Sequence, residues 1–143
     1  MSDSDSGRHS LALTIVNPED LAAPKGFSHG ILAPAGAATL YVAGQIGWDA
    51  QQRIVSEDFS QQFRQALRNV ARVVFEAGGN VSQITRLTIY VTDKQEYLDE
   101  LEQIGEVYRE VMGRHYPAMA LVEVSGLVEP GAKVEIEATA AIT

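Results

Sequence analysis

The sequence predicts an α+β fold of order β-β-β-α-β-α-β-β, with both helices packed on one face of a mixed sheet. Three observations predict it. Apolar residues recur at helical spacing in two long stretches, and a β-branched run separates them. The chain then closes on strict alternation, Val134-Glu135-Ile136-Glu137-Ala138. Helices that alternate with strands in this way share a sheet and cover one of its faces.

Each element has a local cause. Met1 to Ser10 is made of small and polar residues with Arg8 and His9 and has no apolar segment, so residues 1–10 read as a disordered tail ahead of one domain, 11–143. Leu11 to Val16 reads as a short strand, and Asn17 to Gly26, with Pro18 and Pro24, as loop. Phe27 to Leu32 can be extended. Pro34-Ala35-Gly36 turns the chain into a strand over Thr39 to Ile46, where Gly44 marks a bulge or a close backbone approach. Asp49 to Arg53 is a further turn.

The first helix shows an apolar stripe at Phe59, Phe63, Leu67, Val70, Val74 and Ala77, with Asp58 and Gln61 placed as a capping box and Gly78-Gly79 as the stop. A strand follows over Thr85 to Thr92, in which Leu87, Ile89 and Val91 alternate with Arg86, Thr88 and Tyr90. The second helix carries Tyr97, Leu101, Ile104, Tyr108 and Val111, starts at Asp93 with Glu96, and ends at Gly113. Ala118 to Val124 and Val134 to Thr143 are the last strands.

Composition narrows the function. A chain of 143 residues with 45% hydrophobic and 21% charged residues is ordinary for one globular domain. It has no cysteine, which excludes disulfides, thiolate chemistry and Cys-ligated zinc and makes the cytoplasm the default location. No apolar run approaches the roughly 20 residues that span a bilayer, so no membrane partner is expected. The net charge of −8 counts against nucleic acid as a partner. Arg64, Arg68 and Arg72 form a stripe that reads as a solvated helix face. His9, His29 and His115 lack metal-ligand spacing, so no metal is expected. Gly44-Gln45-Ile46-Gly47 is neither a dinucleotide fingerprint nor a phosphate loop, and no cofactor is expected. Tyr41 and Trp48 read as packing residues.

With both helices on one side, the opposite sheet face would carry Tyr41, Gln45, Tyr90, Met119, Leu121, Glu123, Glu135 and Glu137. That mixture is too apolar for free exposure, and self-association is the expected cover. Glu135 is then either solvated or paired with Arg86, or it lies in an interface cleft where it can position water. Glu137 reads as a structural ion pair. Gly26-Phe27-Ser28-His29-Gly30 places Phe27 and His29 on one side of an extended segment, which suits either edge packing or a binding site.

Several segments, in this order, resemble the Rid family (reactive intermediate deaminases, the YjgF or L-PSP endoribonuclease-like group). They are Pro24 to Gly30, Leu40 to Ile46, Gln65 to Val70, Ala77-Gly78-Gly79, Val91-Thr92-Asp93, Tyr116-Pro117-Ala118 and Val134 to Ala138. The resemblance implies a chorismate-mutase-like α+β fold, a homotrimer with small-molecule clefts between subunits, and hydrolysis of enamines or imines to a keto acid and ammonia. In the best-known members an arginine directly after the Pro-Ala pair grips the substrate carboxylate. Here that position is Met119, which cannot make a bidentate charged contact. The resemblance is therefore to an arginine-lacking subgroup, and it implies a C=N substrate other than a simple amino-acid imine. It further makes Glu135 the water-positioning catalytic acid. Phe27, Tyr90 and Met119 become pocket walls and Gly44 a pocket position beside Ala43; His29 has no counterpart in the arginine-type pattern, and Ser28 or His29 is expected, from its place in the segment, as a polar anchor. The same resemblance leaves room for a non-catalytic metabolite-binding or regulatory module. An endoribonuclease, suggested by an old family label, fits the acidic charge poorly.

Overall fold

The computed structural model describes residues 12–143. The tail expected over 1–10 lies outside the described residues, as does Leu11. In chain order the elements are β1 (Thr14–Val16), β2 (Gly30–Leu32), β3 (Ala38–Ile46), α1 (Phe59–Glu76), a 3-10 turn (Val81–Gln83), β4 (Ile84–Val91), α2 (Lys94–Asp99), α3 (Leu101–Met112), β5 (Ala118–Glu123) and β6 (Val134–Ile142). The four longer strands make one sheet ordered β3-β6-β4-β5. β6 is antiparallel to both of its neighbours, while β4 and β5 run parallel. The sheet is thus mixed, as the order of elements requires. β1 and β2 form a separate antiparallel pair, and Ser28 just before β2 bridges Ala118 at the start of β5.

The helix ends form where their residues dictate. The Asp58 carboxylate accepts the Gln61 backbone N–H at 3.2 Å, and that of Asp93 accepts the Gln95 N–H at 2.9 Å. Gly78 takes a φ of 89°, which lets the Gly79 N–H reach back to the Val74 carbonyl at 3.1 Å and close α1. The expected second helix is broken into two. Glu100 leaves the helical conformation at φ −116° and ψ 24°, and its carboxylate accepts the Ser60 N–H in the first turn of α1 at 3.3 Å. An anion at a helix N-terminus is favourable, and this contact accompanies the break. Leu101, which the unbroken stripe would bury, is 50% exposed as a result.

α1 presents Phe59, Phe63, Leu67, Val70 and Val74 to Leu87, Ile89 and Val91 of β4 and to Val134, Ile136 and Ala138 of β6. Ile104, Val107, Tyr108 and Met112 of α3 complete the core. Within it sits one fully buried amide, Gln62. Its Nε2 donates to the Ser56 carbonyl at 2.9 Å and the Gly131 carbonyl at 3.0 Å, and its Oε1 accepts the Lys133 N–H at 2.8 Å. Two loops are thereby tied to the first turns of α1, and every polar atom of the amide has a partner.

Four residues expected on the open sheet face lie elsewhere. Met119 and Leu121 pair with Leu87 and Ile89 and pack against the helix-side core. Glu123 pairs with the buried Val91, and its carboxylate caps the Lys94 N–H of α2 at 2.9 Å. A bulge between Val42 and Gln45 shifts the register, so Gln45 pairs with the core residue Ile136. In β5 the two faces carry Met119 and Leu121 or Ala120 and Val122, so hydrophobicity gives no alternation to read.

Substituting Gln62→Leu strands two carbonyls and one N–H and is expected to cost about 3 kcal/mol of unfolding free energy. Urea unfolding measures this, and a midpoint equal to wild type would show that the amide ties nothing together.

Candidate functional site

The open face is built by β6 and its two neighbours. Glu135, Glu137 and Thr139 project from it, opposite Tyr90, Thr88 and Arg86 of β4. On the other side the β3 bulge brings Gly44 against Glu135. A Cβ on Gly44 would sit 2.8 Å from the Glu135 Cδ, so only glycine lets the backbone approach the carboxylate this closely. Gly44 thus serves both roles expected of it.

The two glutamates differ in what holds them. The Tyr90 hydroxyl donates to Glu137 Oε1 at 2.7 Å. This hydrogen bond to an anion raises the Tyr90 pKa above its ordinary 10.0, with smaller contributions from desolvation and from the charges of Glu137 and Glu135. Glu137 is therefore held by a tyrosine rather than by the ion pair expected of it. Glu135 makes no hydrogen bond or ion pair among the described residues, and the expected pairing with Arg86 does not form. Beside the pair runs a hollow of about 230 Å³ bordered by Tyr41, Arg86, Thr88 and Thr139. Tyr41, expected to pack, is 78% exposed at its rim.

The Phe27 segment lies at the other edge of the sheet. Phe27 meets His29 edge-on, with ring centroids 5.3 Å apart. The polar groups of this segment are engaged by the chain itself. Buried Ser28 donates its hydroxyl to the Tyr116 carbonyl and its N–H to the Pro117 carbonyl, fastening the loop to β5. His29 Nε2 faces the Ala22 carbonyl at 2.7 Å and donates to it, while its backbone N–H donates to Asn17 Oδ1 at 2.8 Å. Neither side chain presents an unengaged anchor of the kind the sequence suggests. Phe27 lines a shallow hollow with Arg114 and Tyr116.

Met119 lines a different cavity, of about 320 Å³, on the helix side of the sheet. Its walls include Phe63, Tyr97, Ile104, Tyr108 and Tyr116. Tyr108 stacks on Tyr116 at 5.3 Å with 9° between the rings, and its hydroxyl donates to the His115 carbonyl at 2.6 Å. Burial pushes the Tyr108 hydroxyl far above its ordinary range, so it stays neutral. These tyrosines were not among the candidates read from sequence. The helical stripe marked Tyr97 and Tyr108 only as core, and nothing in the spacing separates a core wall from a cavity wall.

Within one chain, then, the candidate residues form two groups. Glu135, Gly44 and Tyr90 share the open face, whereas Met119 lies behind the sheet. Phe27, Ser28 and His29 lie beyond the β5 edge, next to Gly26, which also borders the Met119 cavity. Among the described residues, no three His, Asp or Glu side chains cluster to hold a metal ion, and no helix is long and apolar enough to cross a membrane.

Comparison with known proteins places these features in context. The family model for endoribonuclease L-PSP matches residues 18–142. A human protein named 2-iminobutanoate/2-iminopropanoate deaminase is 29% identical over 103 residues, covering 71% of this chain and 72% of its own length. The structure of YyfB from Yersinia pestis, a Rid-family protein of unknown function, superposes with a TM-score of 0.81 at 30% identity, covering 91% of this chain and 98% of that one. Escherichia coli TdcF with bound serine superposes at 0.64 with 30% identity, covering 91% and 99%.

Two expectations follow from the geometry. Gly44→Ala should displace the Glu135 carboxylate while leaving the thermal midpoint within a few degrees, since the side chain that must yield is flexible; a crystal structure with Glu135 unmoved would contradict this. Tyr90 should titrate above 10.0, and Glu137→Gln should bring it back toward that value. Because the folded value is raised, the contribution of this bond to stability is complete below the ordinary value and is lost as pH climbs through the raised one. Near-ultraviolet phenolate absorbance, referenced to Tyr90→Phe, reads the shift.

Proposed function

The chain belongs to the endoribonuclease L-PSP (Rid/YjgF) family, and on that premise we propose that it hydrolyses an imine or enamine C=N bond in a pocket completed by a second copy of itself. The observation that carries this reading is Glu135. The central strand presents it on the open face, glycine clears the space beside it, and no side chain among the described residues engages it. A carboxylate so placed is available to a water molecule. The human relative named as an imine deaminase supports the reaction class.

The chemistry requires one acid acting twice. With the imine nitrogen protonated, Glu135 accepts a proton from water as the water oxygen bonds to the imine carbon, giving a neutral carbinolamine. Glu135 then returns that proton to the nitrogen, the C–N bond breaks, and ammonia leaves as the hydroxyl gives its proton to the Glu135 carboxylate and the carbonyl forms; the carboxylate releases that proton to solvent. The products are a ketone or keto acid and ammonia, with no redox change. Tyr90 contributes indirectly by holding Glu137, which keeps the second carboxylate occupied.

The homotrimer with a chorismate-mutase-like arrangement accounts for two features of the single chain. Tyr41 and Val122 are 78% and 43% exposed on the open face, which a neighbouring copy would cover. The acid and the Met119 cavity lie on opposite sides of one sheet, so a single ligand can touch both only when two copies supply them. Met119 itself favours a second reading, a metabolite-binding module without turnover, because it removes the anchor on which the best-known deaminases depend.

Imines generated in situ by amino-acid oxidases or a dehydratase separate the two readings. Wild type should speed keto-acid and ammonia release, and Glu135→Gln should lose about 10²-fold or more of that rate while keeping its thermal midpoint. Equal rates in both proteins would overturn the hydrolase, and tight metabolite binding without turnover would establish the module.

A further inference from the structure

We infer that Arg109 is the anion-binding residue of the Met119 cavity, and that the cavity takes a carboxylate carried on a bulky apolar or aromatic body. This identifies the ligand class of the site proposed above and rests on that reading for the reaction, though not for the binding. Four observations lead to it.

Arg109 lines the same cavity as Met119. Its position follows from the helix. Side chains of α3 tilt toward the helix N-terminus, and the residue four positions back is Gly105, so the guanidinium folds over a site with no side chain of its own. A Cβ at Gly105 would lie 3.3 Å from Arg109 Nη1. Glycine there makes room for the cation at the cavity wall.

Among the described residues no anion already satisfies it. The other helix arginines are taken: Arg64 and Arg68 by Glu110, and Arg72 by Glu76. None of the ion pairs among the described residues involves Arg109, and no Asp or Glu lines the cavity. The walls are otherwise aromatic and aliphatic, and a cavity of about 320 Å³ exceeds what a two- or three-carbon imino acid fills. A chain of net charge −8 repels anions at long range, so an anionic ligand needs a local cation. The planar guanidinium suits a carboxylate, which it can grip with two parallel N–H donors.

The arginine absent at position 119 is therefore replaced from a different element. Moving the cation from the strand to the helix opens the floor of the cavity, where a thioether now lies, to an apolar side chain. Small imino acids would leave that floor unfilled. Aromatic or branched 2-imino acids, and the 2-oxo acids they yield, would fill it.

Calorimetric titration of the wild-type protein with phenylpyruvate and with its neutral primary amide tests this. The acid should bind more tightly than the amide. Arg109→Met should weaken the acid about 10- to 100-fold and leave the amide unchanged, with Arg109→Lys between. Equal binding of acid and amide by wild type, no binding of phenylpyruvate, or undiminished acid binding by Arg109→Met would each overturn the assignment. The Glu135→Gln assay distinguishes the two proposals. Loss of imine turnover there with an indifferent Arg109 leaves the hydrolase standing and removes the anion site. Arg109-dependent binding with no turnover on any imine does the reverse.

Discussion

Everything in this molecule depends on the register of β6. It is one of the two inner strands, antiparallel to both of its neighbours, with α1 packed on one of its faces. A slip of one residue would carry Ile136 out of the core and drive Glu135 and Glu137 into it. Burying two unpaired carboxylates under α1 would cost far more than the fold can spare. Core packing therefore fixes, with no separate device, which glutamates face outward and at what height on the sheet. The β3 bulge and Gly44 then meet one of them, while Tyr90 meets the other.

Much of this was legible in the residues because burial imposes a period. The α1 stripe, the β4 alternation and the β6 alternation each have one polar and one apolar face, and each folds as its pattern demands. Gly44 was legible for a related reason, since a glycine inside a strand has few other uses. Where both faces are apolar the pattern is silent, and β5 illustrates it: Met119 and Leu121 face the helices though nothing in Ala118 to Glu123 says so. The break at Glu100 is not legible in the sequence because a one-residue interruption barely disturbs helical spacing. The pattern around Ser28 and His29 suits edge packing and a binding site alike, and their partners are backbone carbonyls brought in from Tyr116 and Ala22, contacts that no side-chain pattern records.

The separation of the acid from the cationic cavity has a chemical logic. In one pocket Glu135 and Arg109 would attract each other and form an ion pair, leaving neither for a ligand. Carried on opposite faces of the sheet, they cannot meet within a chain. Two copies would bring them together only across a bound molecule, with the carboxylate end at the arginine and the C=N carbon at the glutamate. Apolar walls between them would strengthen both interactions by excluding water. On the proposed reading the exposed Tyr41 and the unengaged Glu135 have one explanation, an open face finished by another subunit.

The lack of any cysteine in the sequence makes that central claim directly measurable. Glu135→Cys and Met119→Cys single variants, mixed after mild dissociation and reassociated, can be treated with a short bifunctional thiol reagent and resolved under denaturing conditions. A cross-linked species that forms in the mixture, and not in either variant alone, is the expected result, since the acid of one copy then lies across the cavity of the next. A mixture that stays monomeric under conditions where both thiols react would contradict a shared site, and would leave the acid and the cavity as unrelated features of opposite faces.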